Sequence, residues 1–181
     1  MQKVLADIPQ DVQSRAQKIK AILFDVDGVL TDGSIIYTNS GDEIKAFNVK
    51  DGQIISHLKR LGFTVGAITG RESALVERRC KELKLDYCFQ GVKDKFQIVQ
   101  DIAEQKGLKL EEIAYIGDDI IDLKVIKNVG LGVAPVDALS YVKDEAHFIT
   151  VKGGGNGVLR EVGDIILSQQ GKLTQIIEDH T

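Results

Sequence analysis

Short apolar runs that stop at an aspartate, a threonine or a glycine recur along this chain of 181 residues, and they constrain the fold more than anything else in it. Residues 21–24 (AILF) run into Asp25, and residues 63–68 (FTVGAI) run into Thr69-Gly70-Arg71. Residues 87–89 stop at Gln90-Gly91, and residues 113–116 (IAYI) stop at Gly117-Asp118-Asp119. Residues 131–134 and 147–150 are shorter versions of the same event. A continuous apolar run of this length between turn residues suits a strand buried on both faces.

The stretches between these runs carry helical periodicity. Residues 52–61 place Ile54, Ile55, Leu58 and Leu61 on one side. Residues 73–83 open on Ser73 as an N-cap and set Glu77 four residues before Lys81. Residues 93–107 and 119–128 end near a glycine or an asparagine. Strand and helix alternate from about residue 20 to 150, which predicts an α/β fold with a doubly wound parallel sheet. Residues 34–47 break the rhythm: two β-prone runs flank Asn39-Ser40-Gly41-Asp42, a hairpin inserted after the first strand. A length of 181 residues suits one domain. We place it at residues 20–168, after a helical N-terminal extension (1–19) and before a C-terminal tail (169–181). The cluster KGGGNG at 152–157 reads as a flexible connector or a loop pressed against another surface.

Composition removes several classes of function. The 23 basic and 27 acidic residues leave a net charge of −4 with no long positive run, so no nucleic-acid partner is expected. No apolar stretch nears the roughly 20 residues of a membrane span, so no membrane partner is expected. The first residues lack the pattern of a secretory signal. Cys80 and Cys88 read as thiols in a reducing cytoplasm. His57, His147 and His180 are scattered singly and are assigned no chemistry.

Ligands of a doubly wound sheet sit at the carboxyl ends of its strands. Those ends carry Asp25 and Asp27, Thr69, Lys95, and then Asp118, Asp119 and Asp122. Five carboxylates this close repel one another and call for a cation. Hard oxygen ligands suit Mg²⁺, which keeps positions open for a phosphate oxygen. Asp119 and Asp122 suit helix capping equally well.

FDVDGVLTD at 24–32, Ala67-Ile68-Thr69-Gly70-Arg71, Lys95 and Ile116-Gly117-Asp118-Asp119 resemble the four motifs of the haloacid dehalogenase superfamily of phosphotransferases. The resemblance runs from about residue 18 to 168. DVDGVLTDG, the hairpin, FNVKDG, TGRES and GGGNGVLRE narrow it to the 3-deoxy-manno-octulosonate (KDO) 8-phosphate phosphatases. It implies a Rossmann-like core without a separate cap domain. In the implied mechanism Asp25 is the nucleophile, Asp27 the general acid and base, and Thr69 and Lys95 stabilise the phosphoryl group. Mg²⁺ would be held by Asp25, the main-chain carbonyl of Asp27 and Asp118, with Asp119 orienting Lys95 or a metal-bound water and Asp122 in support. Asn48, Val49, Lys50, Asp51 and Gly52 would line the pocket of a sugar acid phosphate, with Asp27, Gly70, Arg71, Arg79 and Lys95. Arg71 and Arg79, eight apart, are expected on nearly one helix face, where guanidinium groups suit a carboxylate. Ser56 departs from the family pattern, which often has a basic residue there. The resemblance also implies a homotetramer. A neighbour's glycine-rich tail is expected to help close the open site, with Arg160 reaching the substrate.

Two alternatives stand beside this reading. One is a phosphatase for a nine-carbon ulosonic acid phosphate, against which Arg71 and Lys50-Asp51-Gly52 argue. The other is a receiver-like phospho-acceptor signalling domain. In receivers the acidic pair comes early, whereas Asp118-Asp119 comes last here. A subunit without activity is disfavoured, because every catalytic position is filled.

Overall fold

A computed structural model describes residues 8–179. Six parallel strands form the central sheet: β1 (Ala21–Phe24), β4 (Thr64–Ile68), β5 (Tyr87–Phe89), β6 (Ile113–Ile116), β7 (Leu131–Ala134) and β8 (Phe148–Ile149). Their order is β5-β4-β1-β6-β7-β8. The apolar runs place each strand. Ala21 to Phe24 are all fully buried, with Ala21 beside Thr64 of β4 on one edge and Ile113 of β6 on the other. The chain winds outward through β4 and β5, then returns to the other side of β1 and winds the opposite way. The reversal lies between β1 and β6, and that is where a doubly wound sheet opens a crevice for ligand. A receiver has one strand, not two, beyond its first, so this order departs from the receiver alternative.

Alternation along β1 feeds two cores. Ile22 and Phe24 face the layer of α1 (Gln10–Ala16), α2 (Val49–Arg60), α3 (Ala74–Glu82), α7 (Val158–Gln169) and α8 (Leu173–Glu178). Ala21 and Leu23 face α4 (Lys95–Lys106), α5 (Leu123–Asn128) and α6 (Ser140–Lys143). Helices thus cover both faces, as the alternation predicted.

Element ends differ from the sequence reading in physically legible ways. α2 begins at Val49 rather than Gly52, because Asn48 accepts the Lys50 N–H at 2.9 Å and caps it. Leu61 lies past its end and is half-exposed. Ser73 occupies the N-cap of α3 without capping it; its hydroxyl hydrogen-bonds Glu43 Oε2 at 2.6 Å. Asp119 to Asp122 form a 3₁₀ turn before α5. The inserted hairpin pairs β2 (Ile36–Tyr37) with β3 (Glu43–Ile44).

The described residues toward both ends of the chain contribute to the core. Val12 and Ala16 of α1 are fully buried, while residues 1–7 of the expected extension lie outside the described residues. α7 buries Val158, Leu159, Val162, Ile165, Ile166 and Leu167, none more than 2% exposed. A Cβ on Gly163 would stand 2.4 Å from Ile54, so glycine there lets α7 settle on α2. The expected tail at 169–181 begins with α8, whose Leu173 and Ile176 are buried; residues 180–181 lie outside the described residues.

Candidate active site

Asp25 follows β1 directly and extends its ladder, its N–H donating to Ile116 O at 2.9 Å. One carboxylate oxygen accepts the Val26 N–H at 2.7 Å; the other lies 2.8 Å from Lys95 Nζ. Lys95 is the first residue of α4, and its side chain is fully buried. Its ammonium also lies 2.8 Å from Asp122 Oδ1. Asp122 is fully buried and fully occupied: Tyr115 donates its hydroxyl to Oδ1 at 2.6 Å, and the N–H groups of Asp118 and Asp119 reach Oδ2 at 3.1 and 3.2 Å.

Asp118 completes the group from the end of β6. Carboxylate oxygens of Asp25, Asp118 and Asp122 lie within 4.8 Å of one another. Asp118 Oδ1 is buried with no hydrogen-bond partner among the described residues. Burial and repulsion from Asp25, Asp122 and Asp119 push the Asp118 carboxyl up to about 7, against the pull of Lys95. Burial raises Asp25 to about 6, with Lys95 opposing and Asp122 adding to the rise. Burial works against the charge on Lys95, but Asp122 and Asp25 outweigh it and raise its pKa. Crowded carboxylates with an orphaned buried oxygen fit a hard divalent cation. Gly28 makes the crowding possible. Its φ is +84°, and a Cβ there would lie 2.0 Å from Asp118 Oδ2.

Other residues named from the sequence fall into three places. Asp27 and Arg71 stand at the mouth under the hairpin, with Arg71 Nη1 3.9 Å from Asp27 Oδ2. Thr69 is buried at the end of β4, and Gly70 follows it. Asn48, Val49 and Lys50 open α2 beside the glycine-rich segment, Asn48 donating its amide to Gly155 O at 3.2 Å. Val49 and Lys50 are exposed, as is Ser56 further along α2.

Three expectations need correction. Asp119 does not reach Lys95; its carboxylate accepts the Ile120 N–H at 2.6 Å and caps the 3₁₀ turn, and Asp122 orients the lysine. Arg71 precedes α3, so it shares no helix face with Arg79. Arg79 lies over the Phe47 ring at 5.7 Å, against Gly52, and reaches Glu82 at 3.4 Å. Asp51 is 2% exposed and is used within the fold: it accepts the Arg160 N–H at 2.8 Å, capping α7, while the Arg160 side chain pairs with Asp164 at 2.7 Å. Of the two readings of the glycines at 153–157, the loop pressed against another surface is the one observed. Gly154 donates to Asp137 at 3.0 Å and Gly155 to Val29 O at 3.0 Å, so the segment is pressed on the chain's own loop after Asp25.

Tyr115, Gly28, Glu43 and Lys45 were not singled out from the sequence, and Ser73 was read only as a helix cap. Tyr115 could have been found as the one hydroxyl in an otherwise apolar buried run; the others had no local signal.

A family model described as haloacid dehalogenase-like hydrolase matches residues 88–162. The 3-deoxy-D-manno-octulosonate 8-phosphate phosphatase of Escherichia coli strain K12 is 42% identical over 168 residues, covering 93% of this chain and 89% of that protein. The corresponding phosphatase from Moraxella catarrhalis, solved in complex with magnesium ion, phosphate ion and KDO, superposes with a TM-score of 0.93 at 38% identity, covering 96% of this chain and all of that one. That from Yersinia pestis superposes at 0.90 with 42% identity, covering 92% and 90%. Sheet order, the lysine-bridged carboxylates and similarity along nearly the whole chain agree, and the chain belongs to the 3-deoxy-D-manno-octulosonate 8-phosphate phosphatase family of haloacid dehalogenase-like hydrolases.

Proposed function

We propose that this protein is a Mg²⁺-dependent phosphatase that hydrolyses KDO 8-phosphate to KDO and phosphate in lipopolysaccharide synthesis. The observation that carries the chemistry is the meeting of Asp25, Asp118 and the buried Lys95 at the crevice between β1 and β6. The substrate follows from the relatives, which are KDO 8-phosphate phosphatases over nearly their full length.

Asp25 attacks phosphorus, and its Oδ–P bond forms as the bond from phosphorus to the sugar oxygen breaks. Asp27 gives its proton to that leaving oxygen. A water then attacks the aspartyl-phosphate, Asp27 takes the water's proton, and phosphate leaves with Asp25 regenerated. Lys95 and Thr69 hold the phosphoryl oxygens. Asp25, Asp118 and the main-chain carbonyl of Asp27 would hold Mg²⁺, whose charge offsets that of the phosphate. Asp122 orients Lys95. Asn48, Val49, Lys50, Gly70, Arg71 and Arg79 are assigned to the substrate pocket, with Arg71 serving the substrate carboxylate.

We further infer that copies of the chain assemble as a homotetramer in the cytoplasm, with no nucleic-acid or membrane partner. Support for assembly comes from the hairpin region, where Ile35, Ile36, Tyr37 and Ile44 are each 47–62% exposed. Among the described residues no helix is long and apolar enough to cross a membrane.

The test is phosphate release from a panel of sugar and ulosonic acid phosphates, with and without Mg²⁺. KDO 8-phosphate should have the highest kcat/KM. Preference for a nine-carbon ulosonic acid phosphate would move the substrate, and full release without divalent metal would overturn the mechanism. Light scattering gives the subunit count.

A further inference from the structure

The hairpin reaches into the site with two side chains, Glu43 and Lys45, that the reaction scheme leaves unused. Period-two alternation along β3 and the residue after it puts Ile44 outward, 47% exposed, and Glu43 and Lys45 toward the site. The Lys45 side chain is only 2% exposed, although the hairpin around it is mostly open to solvent. A lysine ammonium is buried this way only when it is paired. Its partner is Asp27: Lys45 Nζ donates to Asp27 Oδ1, and Glu43 Oε1 stands 3.6 Å from the same ammonium.

The contacts divide the two oxygens of Asp27. Oδ1 takes both short-range donors, Lys45 and, at 3.3 Å, the Thr31 hydroxyl. Among the described residues Oδ2 has only the distant guanidinium of Arg71, at 3.9 Å. Glu43 braces the arrangement, accepting from Arg71 at 3.2 Å and from Ser73 at 2.6 Å. Hairpin, nucleophile loop and the loop after β4 are therefore tied through the charges of Lys45, Asp27, Glu43 and Arg71.

We propose that Lys45 is a positioning residue for proton transfer: by occupying Asp27 Oδ1 it fixes the carboxyl so that Oδ2 is the oxygen that carries the proton. The inference rests on the reading of Asp27 as general acid and base. The Oδ2 proton passes to the leaving oxygen as the bond to phosphorus breaks, leaving an Asp27 carboxylate that faces Lys45 through Oδ1. A closed hairpin and an aligned acid are then one state, since the hairpin carries the lysine.

The leaving group separates this role from a structural one. An alkoxide needs a proton as it departs; p-nitrophenolate does not. kcat/KM reports the steps up to loss of the leaving group. We compare a sugar phosphate without a carboxylate with p-nitrophenyl phosphate, so that contacts to an acid group play no part. Lys45→Met should lower kcat/KM for the sugar phosphate by about tenfold or more, a fraction of the full general-acid contribution. It should change p-nitrophenyl phosphate less than threefold, a bound on the order of one misplaced contact. Lys45→Arg, which keeps the charge, should recover most of the sugar phosphate rate. Asp27→Asn is the reference and should show the same split, larger. If Asp27→Asn shows no split, the reading of Asp27 fails. If Asp27→Asn shows the split but Lys45→Met lowers both substrates equally, or neither, the positioning role of Lys45 is overturned. Should Lys45→Met melt at a much lower temperature, Lys45→Arg against Lys45→Gln decides by the same ratio.

Discussion

Asp122 holds Lys95 from behind: its Oδ1 lies 2.8 Å from the lysine ammonium, whose other carboxylate contact, also 2.8 Å, is Asp25, the proposed nucleophile. Asp122 is itself pinned by Tyr115 and by two main-chain N–H groups, so the ammonium is fixed before substrate arrives. Fixed charge of this kind stabilises a transferring phosphoryl group without reorganisation. We therefore expect Asp122→Ala to damage fold and activity together. It leaves the buried ammonium with Asp25 alone and strands a buried hydroxyl and two N–H groups, at a cost on the order of 3–5 kcal/mol. Urea denaturation measures this; a loss under about 1 kcal/mol would deny Asp122 its anchoring role.

Asp25→Asn should separate the two properties. The amide keeps an oxygen for the Val26 N–H but is a poor nucleophile and ligand. Turnover should fall by about 10³ or more, with the melting temperature retained. Activity within tenfold of the unmodified enzyme would remove Asp25 from its role.

Chelation should stop turnover and Mg²⁺ should restore it. Mg²⁺ should also raise the melting temperature, because it relieves repulsion among Asp25, Asp118 and Asp122. Asp118→Asn should abolish that rise, since Asp118 Oδ1 is the buried oxygen without a partner among the described residues. Ca²⁺ should bind and inhibit, its larger shell tolerating looser geometry around Asp25. A melting temperature indifferent to Mg²⁺ would argue against the carboxylate cluster as the metal site.

Removal of residues from Gly153 onward should unfold the protein. From the sequence alone, the glycine run at 152–157 makes the helix after it look detachable. Six apolar residues of α7 are nevertheless buried, each contributing about 1.5–3 kcal/mol, in sum comparable to a typical domain's whole net stability. A soluble, cooperatively melting truncation would refute this.

The contrast at α7 shows which parts of the site the sequence discloses. Asp25, Thr69 and Asp118 were legible because each ends an apolar run, and strand ends converge in a parallel sheet. Lys45 was not. Its partner Asp27 is 18 residues away across a turn, and locally it is a charge in a polar hairpin. Asp119 and Asp122 offered equal claims on Lys95 in one dimension. A 3₁₀ turn decided between them by turning Asp119 outward, where it is exposed, and Asp122 inward, where it is fully buried. Gly28 carried no signal, because its reason is the Asp118 carboxylate 90 positions later.

Asp51 makes stability depend on pH in a direction that can be worked out. Burial raises its pKa from 3.8 to about 6, against the Arg160 and Leu159 N–H groups and the charges of Arg79 and Arg160, all of which lower it. Its Oδ2 is buried without a partner among the described residues. The folded state therefore holds the Asp51 proton more tightly than the unfolded chain. Below about pH 4 the group is protonated in both states and carries no penalty. As pH rises from about 4 to about 6 the unfolded chain releases the proton first, so the folded state loses stability relative to it; above about 6 the loss is complete and constant. Full expression of the shift corresponds to roughly 3 kcal/mol. Asp51→Asn keeps an oxygen for the Arg160 N–H and carries no charge at any pH. Relative to the unmodified protein it should be most favoured at pH 7–8, and that advantage should shrink as pH falls from about 6 to about 4. Asp25 and Asp118 also have raised pKa values, but both proteins share them, so their effects cancel in the difference. Urea melts of the two proteins at matched pH, with chelator present, give that difference directly. A difference unchanged between pH 4 and pH 8 would show that folding leaves the Asp51 pKa unshifted, the α7 N-terminus offsetting the effect of burial.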